Sequence, residues 1–389
     1  MPDDNYLVRS PLLDPEQRIL GYKLAWQKKE DLTGAAGLAK LVSGGALPGT
    51  VFLQGNPLVL PASARQAMAG QNTVWVLEHE ALSEADYPAL AALREEGFGL
   101  ALRGVDPAFV QANEALLRLM THLEVHGDVL RLTEVSHHVT QHHPAVSVLA
   151  GQSAHWADFE ACAARGIPVF FEALCRSPRT MSASGALNSQ ATLILQMMQL
   201  VQENADVPQL EKLLKSDAVL SYKLFRYINS ASFGIKVEIQ SLRHAVAMVG
   251  YSPLFRWLSL RLAMASTVSF SPALVQAAMV RGRLLELLGQ GLLSRKESDD
   301  LFVVGMFSLL GPMLGVPVSK VLNQIALPDA IVQALLGREG KYGPFMLLAE
   351  ACEHEDGCAA DLADALFLTA VRVNNAHLSA LAWAQSTKF

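Results

Sequence analysis

Apolar positions change their period partway along the chain. Up to about residue 180, short apolar runs recur at Val51–Leu53, Thr73–Leu77, Gly99–Leu102, Val129–Leu132, Val146–Ala150 and Pro168–Phe171, and each has the length of a buried strand. Helical patterns separate them over Tyr87–Glu96, Ala112–His122 and Ala157–Arg165. Gly97 and Gly166 each follow a helical stretch and precede an apolar run, as a helix C-cap does. Alternation of strand and helix predicts parallel strands joined by helical crossovers, in a barrel or a doubly wound sheet. Beyond a polar stretch with Pro178 and Gly185, the strand signal disappears. Leucines at 210, 213, 214, 220 and 224 recur at helical spacing. Helices are expected over Leu187–Val201, Val207–Leu214, Ser241–Gly250, Pro253–Ser266, Pro272–Leu288, Leu301–Leu314, Pro328–Leu336, Pro344–Glu353 and Ala359–Gln385.

The fold class is therefore α/β followed by all-α, with a first domain over 1–178, a linker over 179–186 and a helical domain over 187–389. A length of 389 residues suits two or three domains. With 51% hydrophobic and 17% charged residues, a disordered chain is excluded. The most apolar region, Pro253–Phe270, is interrupted by Arg256 and Arg261, so no membrane span is expected. The acidic start Met1–Asn5 has no apolar stretch and does not read as a secretory signal. A net charge of −6 without blocks of like charge gives no electrostatic case for nucleic acid or an anionic membrane. Cys162, Cys175, Cys352 and Cys358 form no Cys-x-x-Cys pair, which fits free thiols in a reducing cytoplasm.

Candidate chemistry is sparse. His138 and His142 share a helical face within His137–His143, a spacing open to a metal or to a solvated polar helix. Glu78 and Glu80 flank His79 at the end of an apolar run, where a β/α barrel carries its active site; they could hold a divalent cation or face solvent. Phosphate-loop, nucleophile-elbow and zinc-helix motifs are missing, and Gly97-Phe98-Gly99 alone is uninformative. Met197 and Met198 suit core filling, and His244 a structural role in an amphipathic helix. Phe255, Trp257 and Leu258 fit a core better than an exposed interaction anchor.

Two stretches carry a resemblance. Arg9-Ser10-Pro11-Leu12-Leu13-Asp14, with Gln17–Trp26 after it, resembles the start of an EAL domain, and the likeness runs over residues 6–178 through Leu149, Phe159 and Arg176-Ser177-Pro178. Leu213–Leu220, then Leu224-Phe225-Arg226-Tyr227-Ile228-Asn229-Ser230-Ala231-Ser232-Phe233-Gly234, Ile239–Val246 and Val249-Gly250, is similar to the HDOD domain, a helical relative of HD phosphohydrolases. The order resembles an EAL–HDOD (YuxH-type) signalling protein. The resemblance implies a β/α barrel that, when active, hydrolyses cyclic di-GMP.

Departures from the family pattern imply that this activity is lost. Lys23 stands where the EAL signature has a metal-binding Glu, Gln54 where it has Asn, and Arg103-Gly104 where it has an Asp pair. Arg131 and Thr133 align with its catalytic Lys and following Asp, Gly151 and Ala154 with later acidic positions, and Phe171-Glu172 with Gln-Gly. Glu78 or Glu80 aligns with a remaining Glu. Two-metal hydrolysis needs several anionic oxygens. A cation at ~4 Å, at an effective dielectric of ~20, repels a monocation by about 4 kcal/mol and a divalent ion by twice that. Ser308-Leu309 likewise replaces the His-Asp of HD enzymes. The expectation is a non-enzymatic signal-transduction adaptor acting on protein partners, with no catalytic, cofactor-binding or metal-binding residue and no cofactor. The alternatives are a cyclic di-GMP sensor that binds without hydrolysis and, remotely, a residual phosphodiesterase. Homo-oligomerisation stays open.

Overall fold

A computed structural model of the chain describes residues 5–27, 49–66, 72–153, 155–171, 187–214, 216–228, 250–265, 271–325, 327–354 and 358–386, with isolated positions 37, 39, 68, 241 and 244. The expected linker 179–186, Cys175, Ala154, Glu172, the helix over 241–250 apart from 241, 244 and 250, and the Asn229–Gly234 run lie outside the described residues.

Eight strands close into a barrel in sequence order: β1 (Leu7–Leu13), β2 (Ile19–Trp26), β3 (Thr50–Gln54), β4 (Thr73–Glu78), β5 (Gly99–Arg103), β6 (His122–Val125), β7 (Ser147–Ser153) and β8 (Val169–Phe171). β1 is antiparallel to both neighbours, β2 and β8, and all other pairs are parallel. Helices of eight or more residues are α1 (Tyr87–Glu95), α2 (Val129–His142), α3 (Trp156–Ala163), α4 (Ser189–Gln202), α5 (Val207–Leu214), α6 (Ala218–Ile228), α7 (Tyr251–Ala263), α8 (Pro272–Gly289), α9 (Arg295–Phe307), α10 (Asp329–Gly337), α11 (Gly343–Ala351) and α12 (Ala370–Ser386).

Leu12, Phe52, Val74, Val76, Ala101, Leu149 and Phe170 fill the barrel, as period-2 strands with one face inward require. Gly97 and Gly166 do end helices at positive φ, +94° and +71°, and the amides of Phe98 and Ile167 reach back to Leu93 and Cys162.

Four expected elements are corrected; Leu301–Leu314 and Ala359–Gln385 each divide, into Arg295–Phe307 with Leu310–Leu314 and Ala359–Ala365 with Ala370–Ser386. Val129–Leu132 is the first turn of α2, because the Asp128 side chain accepts from Arg131 N at 2.9 Å and caps a helix there. The expected helix Ala112–His122 breaks into short pieces, Pro107–Ala112 and Glu114–Leu117, and its end enters β6.

The chain forms two compact units that do not follow the expected linear split. Unit 1 comprises residues 1–177, 271–288 and 347–389; unit 2 comprises 178–270 and 289–346. Buried polar chemistry explains why unit 1 claims late segments. Glu353 accepts from Arg9 Nη2 at 2.9 Å and, as a fork, from Arg281 Nη2 at 2.6 Å and Nε at 3.1 Å. Burial works against the Glu353 charge, but Arg281 and Arg9 bring its pKa down to about 2. Burial, with Arg9 beside it, depresses the pKa of His377 on α12, so the imidazole is neutral and accepts from the Arg9 guanidinium. Asn374 binds the β1 end, accepting from Leu7 N at 2.8 Å and donating to the Asn5 carbonyl at 2.9 Å.

In unit 2, α7 packs against α4 and α9. Asn188 caps α4 through Ala191 N at 2.7 Å, and its amide donates to the Ala265 carbonyl. Phe255, Trp257 and Leu258 are buried. No helix among the described residues is long and apolar enough to cross a membrane.

Candidate functional site

The barrel interior is not wholly apolar. β2 presents Lys23 inward, in register with Ser10 and Phe52, and its ammonium lies 4.8 Å from the centre of the Phe170 ring. β6 presents Glu124 inward, in register with Arg103 and Leu149. Both side chains are essentially inaccessible, at 1% and 0% exposure, and Lys23 Nζ stands 3.1 Å from Glu124 Oε1. The same oxygen lies 2.9 Å from His126 Nε2 and 3.6 Å from Arg103 Nε. Arg103 Nε also sits 3.1 Å from His126 Nε2. A neutral His126 therefore has two exclusive arrangements: protonated at Nε2 it donates to Glu124, and protonated at Nδ1 it accepts from Arg103. Arg103 continues outward to Glu78 Oε1 at 3.4 Å.

Burial alone would raise the Glu124 pKa. Lys23, the His126 hydrogen bond and Arg103 outweigh it and bring the value down to about 2. The carboxylate is thus a fixed anion across the neutral range. Among the described residues its Oε2 has no hydrogen-bond partner, and neither has Gln54 Oε1 at the end of β3.

Two glycines shape the surroundings. A Cβ at Gly151 would meet the His126 ring at 2.6 Å, so that position must stay bare for the imidazole to fit. Gly104 turns the chain at φ +79° beside His79, whose Nδ1 lies 3.2 Å from the Arg103 carbonyl.

The residues singled out from sequence separate. Lys23, Arg103 and Glu78 come together; Glu80 is exposed in the short turn His79–Ala81. Arg131 and Thr133 lie on α2, not on a strand; the pair two residues apart at the end of β6 is Glu124, on the strand, and His126, just past it. Sequence reasoning missed Glu124, the centre of the cluster. It also expected a cationic cleft, which is corrected: Glu124 and Glu78 balance Lys23 and Arg103.

His138 and His142 stack at 4.3 Å, His142 Nδ1 lies 3.0 Å from the His138 carbonyl, and His137 Nε2 lies 3.0 Å from Gln141 Nε2. Among the described residues no group of three His, Cys, Asp or Glu is arranged to hold a metal ion. At the end of α9, Ser308 Oγ donates to the Gly305 carbonyl at 2.6 Å and Leu309 is buried. Cys162 and Cys352 are buried free thiols, and Cys358 is an exposed one.

Residues 187–321 match the HDOD domain family. YuxH of Bacillus subtilis (strain 168), described as an uncharacterised protein, is 21% identical over 375 residues, covering 90% of each chain. The cyclic di-GMP phosphodiesterase CdgJ of Vibrio cholerae (strain N16961) is 30% identical over 155 residues, covering 40% of this chain and 36% of that protein. The chain thus carries a segment similar to the HDOD domain and, over 155 residues, is similar to a protein described as a cyclic di-GMP phosphodiesterase.

Proposed function

We propose that this protein is a non-catalytic signal-transduction adaptor in a cyclic di-GMP network, built from a degenerate EAL-type barrel and an HDOD domain, and that its output is binding to protein partners. The observation that carries the reading is the Lys23–Glu124 pair. A barrel enzyme of the EAL kind needs free carboxylates at this end to hold divalent ions. Here the buried carboxylate at the end of β6 already has a cation, the Lys23 ammonium at 3.1 Å, and two further donors beside it. A metal at Glu124 would have to displace Lys23 into an interior with no other carboxylate partner among the described residues. Breaking such a pair costs about 3–5 kcal/mol. Loss of hydrolysis therefore follows from occupation of the site by a tethered ammonium rather than from net repulsion. Ser308 and Leu309 support the same reading in the helical half, since one caps a helix and the other packs in the core.

The test is a cyclic di-GMP hydrolysis assay with Mg²⁺ and Mn²⁺ on the full chain. No turnover above a buffer blank is expected; sustained turnover refutes the proposal.

A second reading, a sensor that binds cyclic di-GMP without cleaving it, is favoured by two acceptors without partners among the described residues, Glu124 Oε2, on the carboxylate that faces Arg103, and Gln54 Oε1 at the end of β3. Calorimetry decides it: saturable heat with cyclic di-GMP supports a sensor, and none at high micromolar ligand leaves the adaptor.

A further inference from the structure

Arginine does not shed its proton inside a protein, so a buried guanidinium needs an anion or enough acceptors to replace water. Arg9 and Arg281 in unit 1 meet that need by sharing Glu353. Arg261, on α7 in unit 2, does not. It is 6% exposed, yet among the described residues it has no carboxylate within ion-pair distance. Among the described residues its Nε has no hydrogen-bond partner, and Nη1 meets only the Met264 Sδ at 3.5 Å, a weak acceptor.

A second cation, Lys223 on α6, feels its charge. α6 meets α7 where the Tyr227 and Trp257 rings lie 6.2 Å apart. Lys223 lies one turn before Tyr227 on α6 and Arg261 one turn after Trp257 on α7, so each charge is within a turn of the ring contact. Arg261 is the main cause that lowers the Lys223 pKa; burial lowers that of Arg261. Among the described residues Asp217 is the carboxylate that acts in the other direction on both. It stands outside ion-pair distance, with Oδ1 accepting from Leu220 N at 2.9 Å. Among the described residues, the two cations therefore have no counter-ion within ion-pair distance.

We propose that Arg261 and Lys223 form an oxyanion site in the helical unit that takes the phosphate group of a small ligand. A phosphate dianion matches two positive charges, a guanidinium fork fits two of its oxygens, and the exposed ammonium supplies a point charge at the entrance. The site is independent of what the barrel binds.

Calorimetry on the full chain, at ionic strength held constant with chloride, tests it with inorganic phosphate and with a nucleoside monophosphate as probes. Saturable binding of phosphate is expected. Arg261→Met should weaken it by ~10-fold or more, as loss of a buried charged contact does. Lys223→Gln, at an exposed position that leaves folding intact, should weaken it several-fold. Tighter binding of the nucleotide would identify the phosphate as part of a nucleotide, and equal binding a free oxyanion. Without ligand, Arg261→Met should melt at or above the parent temperature, because it removes an unpaired buried charge. No saturable heat with either probe overturns the proposal, as does unchanged phosphate affinity in Lys223→Gln or in Arg261→Met.

Discussion

Replacing Lys23 by Met tests the buried pair most directly, because Met keeps the length of the side chain and removes its charge. At 3.1 Å and an effective dielectric of ~20, the attraction between Lys23 and Glu124 is about 5 kcal/mol before desolvation is subtracted. Removing one partner of a buried pair costs about 3–5 kcal/mol, since the other charge stays behind. Arg103 at 3.6 Å and His126 at 2.9 Å still face Glu124, which puts the expected loss at the low end, about 3 kcal/mol. Glu124→Gln should cost a similar amount, because it strands the Lys23 ammonium. The double variant should cost less than the sum of the singles by about 2 kcal/mol. Two units make a single global unfolding curve ambiguous, so the assay is hydrogen exchange of peptides from β3 to β6. A loss of about 3 kcal/mol speeds exchange there by roughly 150-fold. Strict additivity of the two single variants, or exchange in Lys23→Met within a factor of ~2 of the parent, would refute the claim that the two side chains form one unit.

Further predictions follow from the same contacts. Glu124 and Glu353 both titrate near 2 in the folded chain against about 4.5 unfolded, so each adds stability that is complete above pH 4.5 and lost as pH falls toward 2. Of the order of 3 kcal/mol per group should disappear across that window, measurable as a falling urea midpoint, and a flat midpoint from pH 5 to ~2.5 would contradict it. Gly151→Ala should cost about 1–3 kcal/mol or expel the His126 ring, detectable as a shift of its imidazole resonances. Lys23→Glu should leave cyclic di-GMP uncleaved with Mg²⁺ or Mn²⁺, since it sets two carboxylates side by side without restoring the other anionic positions; measurable turnover would contradict this. A fragment ending at residue 178 should fail to fold cooperatively by circular dichroism, because Arg9 then lacks Glu353 and β1 lacks Asn374. A sharp melt of that fragment would sink the account of unit 1.

That last point bears on how much the sequence disclosed. β3, β4, β5, β7 and β8 are apolar runs flanked by turn residues, and they are legible as such. β6 is not. In His122-Leu123-Glu124-Val125-His126 the inward position at 124 is charged, so the usual reading of an apolar inner face runs backwards. Its period-2 alternation was the available signal. Val129–Leu132 showed the opposite trap, a stretch with three apolar residues in four whose identity rests on the capping Asp128. Lys23 and Arg103 were legible as cations, but their partner was not, because Glu124 is 101 residues from Lys23 and only barrel closure brings them together. The division into units was hidden for the same reason. It depends on Arg9, Arg281 and Glu353, which carry no local pattern.

Arg9 and Glu353 are 344 positions apart, which sets a timetable for the ribosome. At about 5–20 residues per second, the first strand waits roughly 20–70 s before its anchoring carboxylate has been made. The helical unit, whose last residue is Met346, has all its residues before that moment. Synthesis therefore delivers the inner module first and leaves the barrel to be sealed from behind, so a nascent chain stalled before Glu353 would present an unfinished barrel to chaperones.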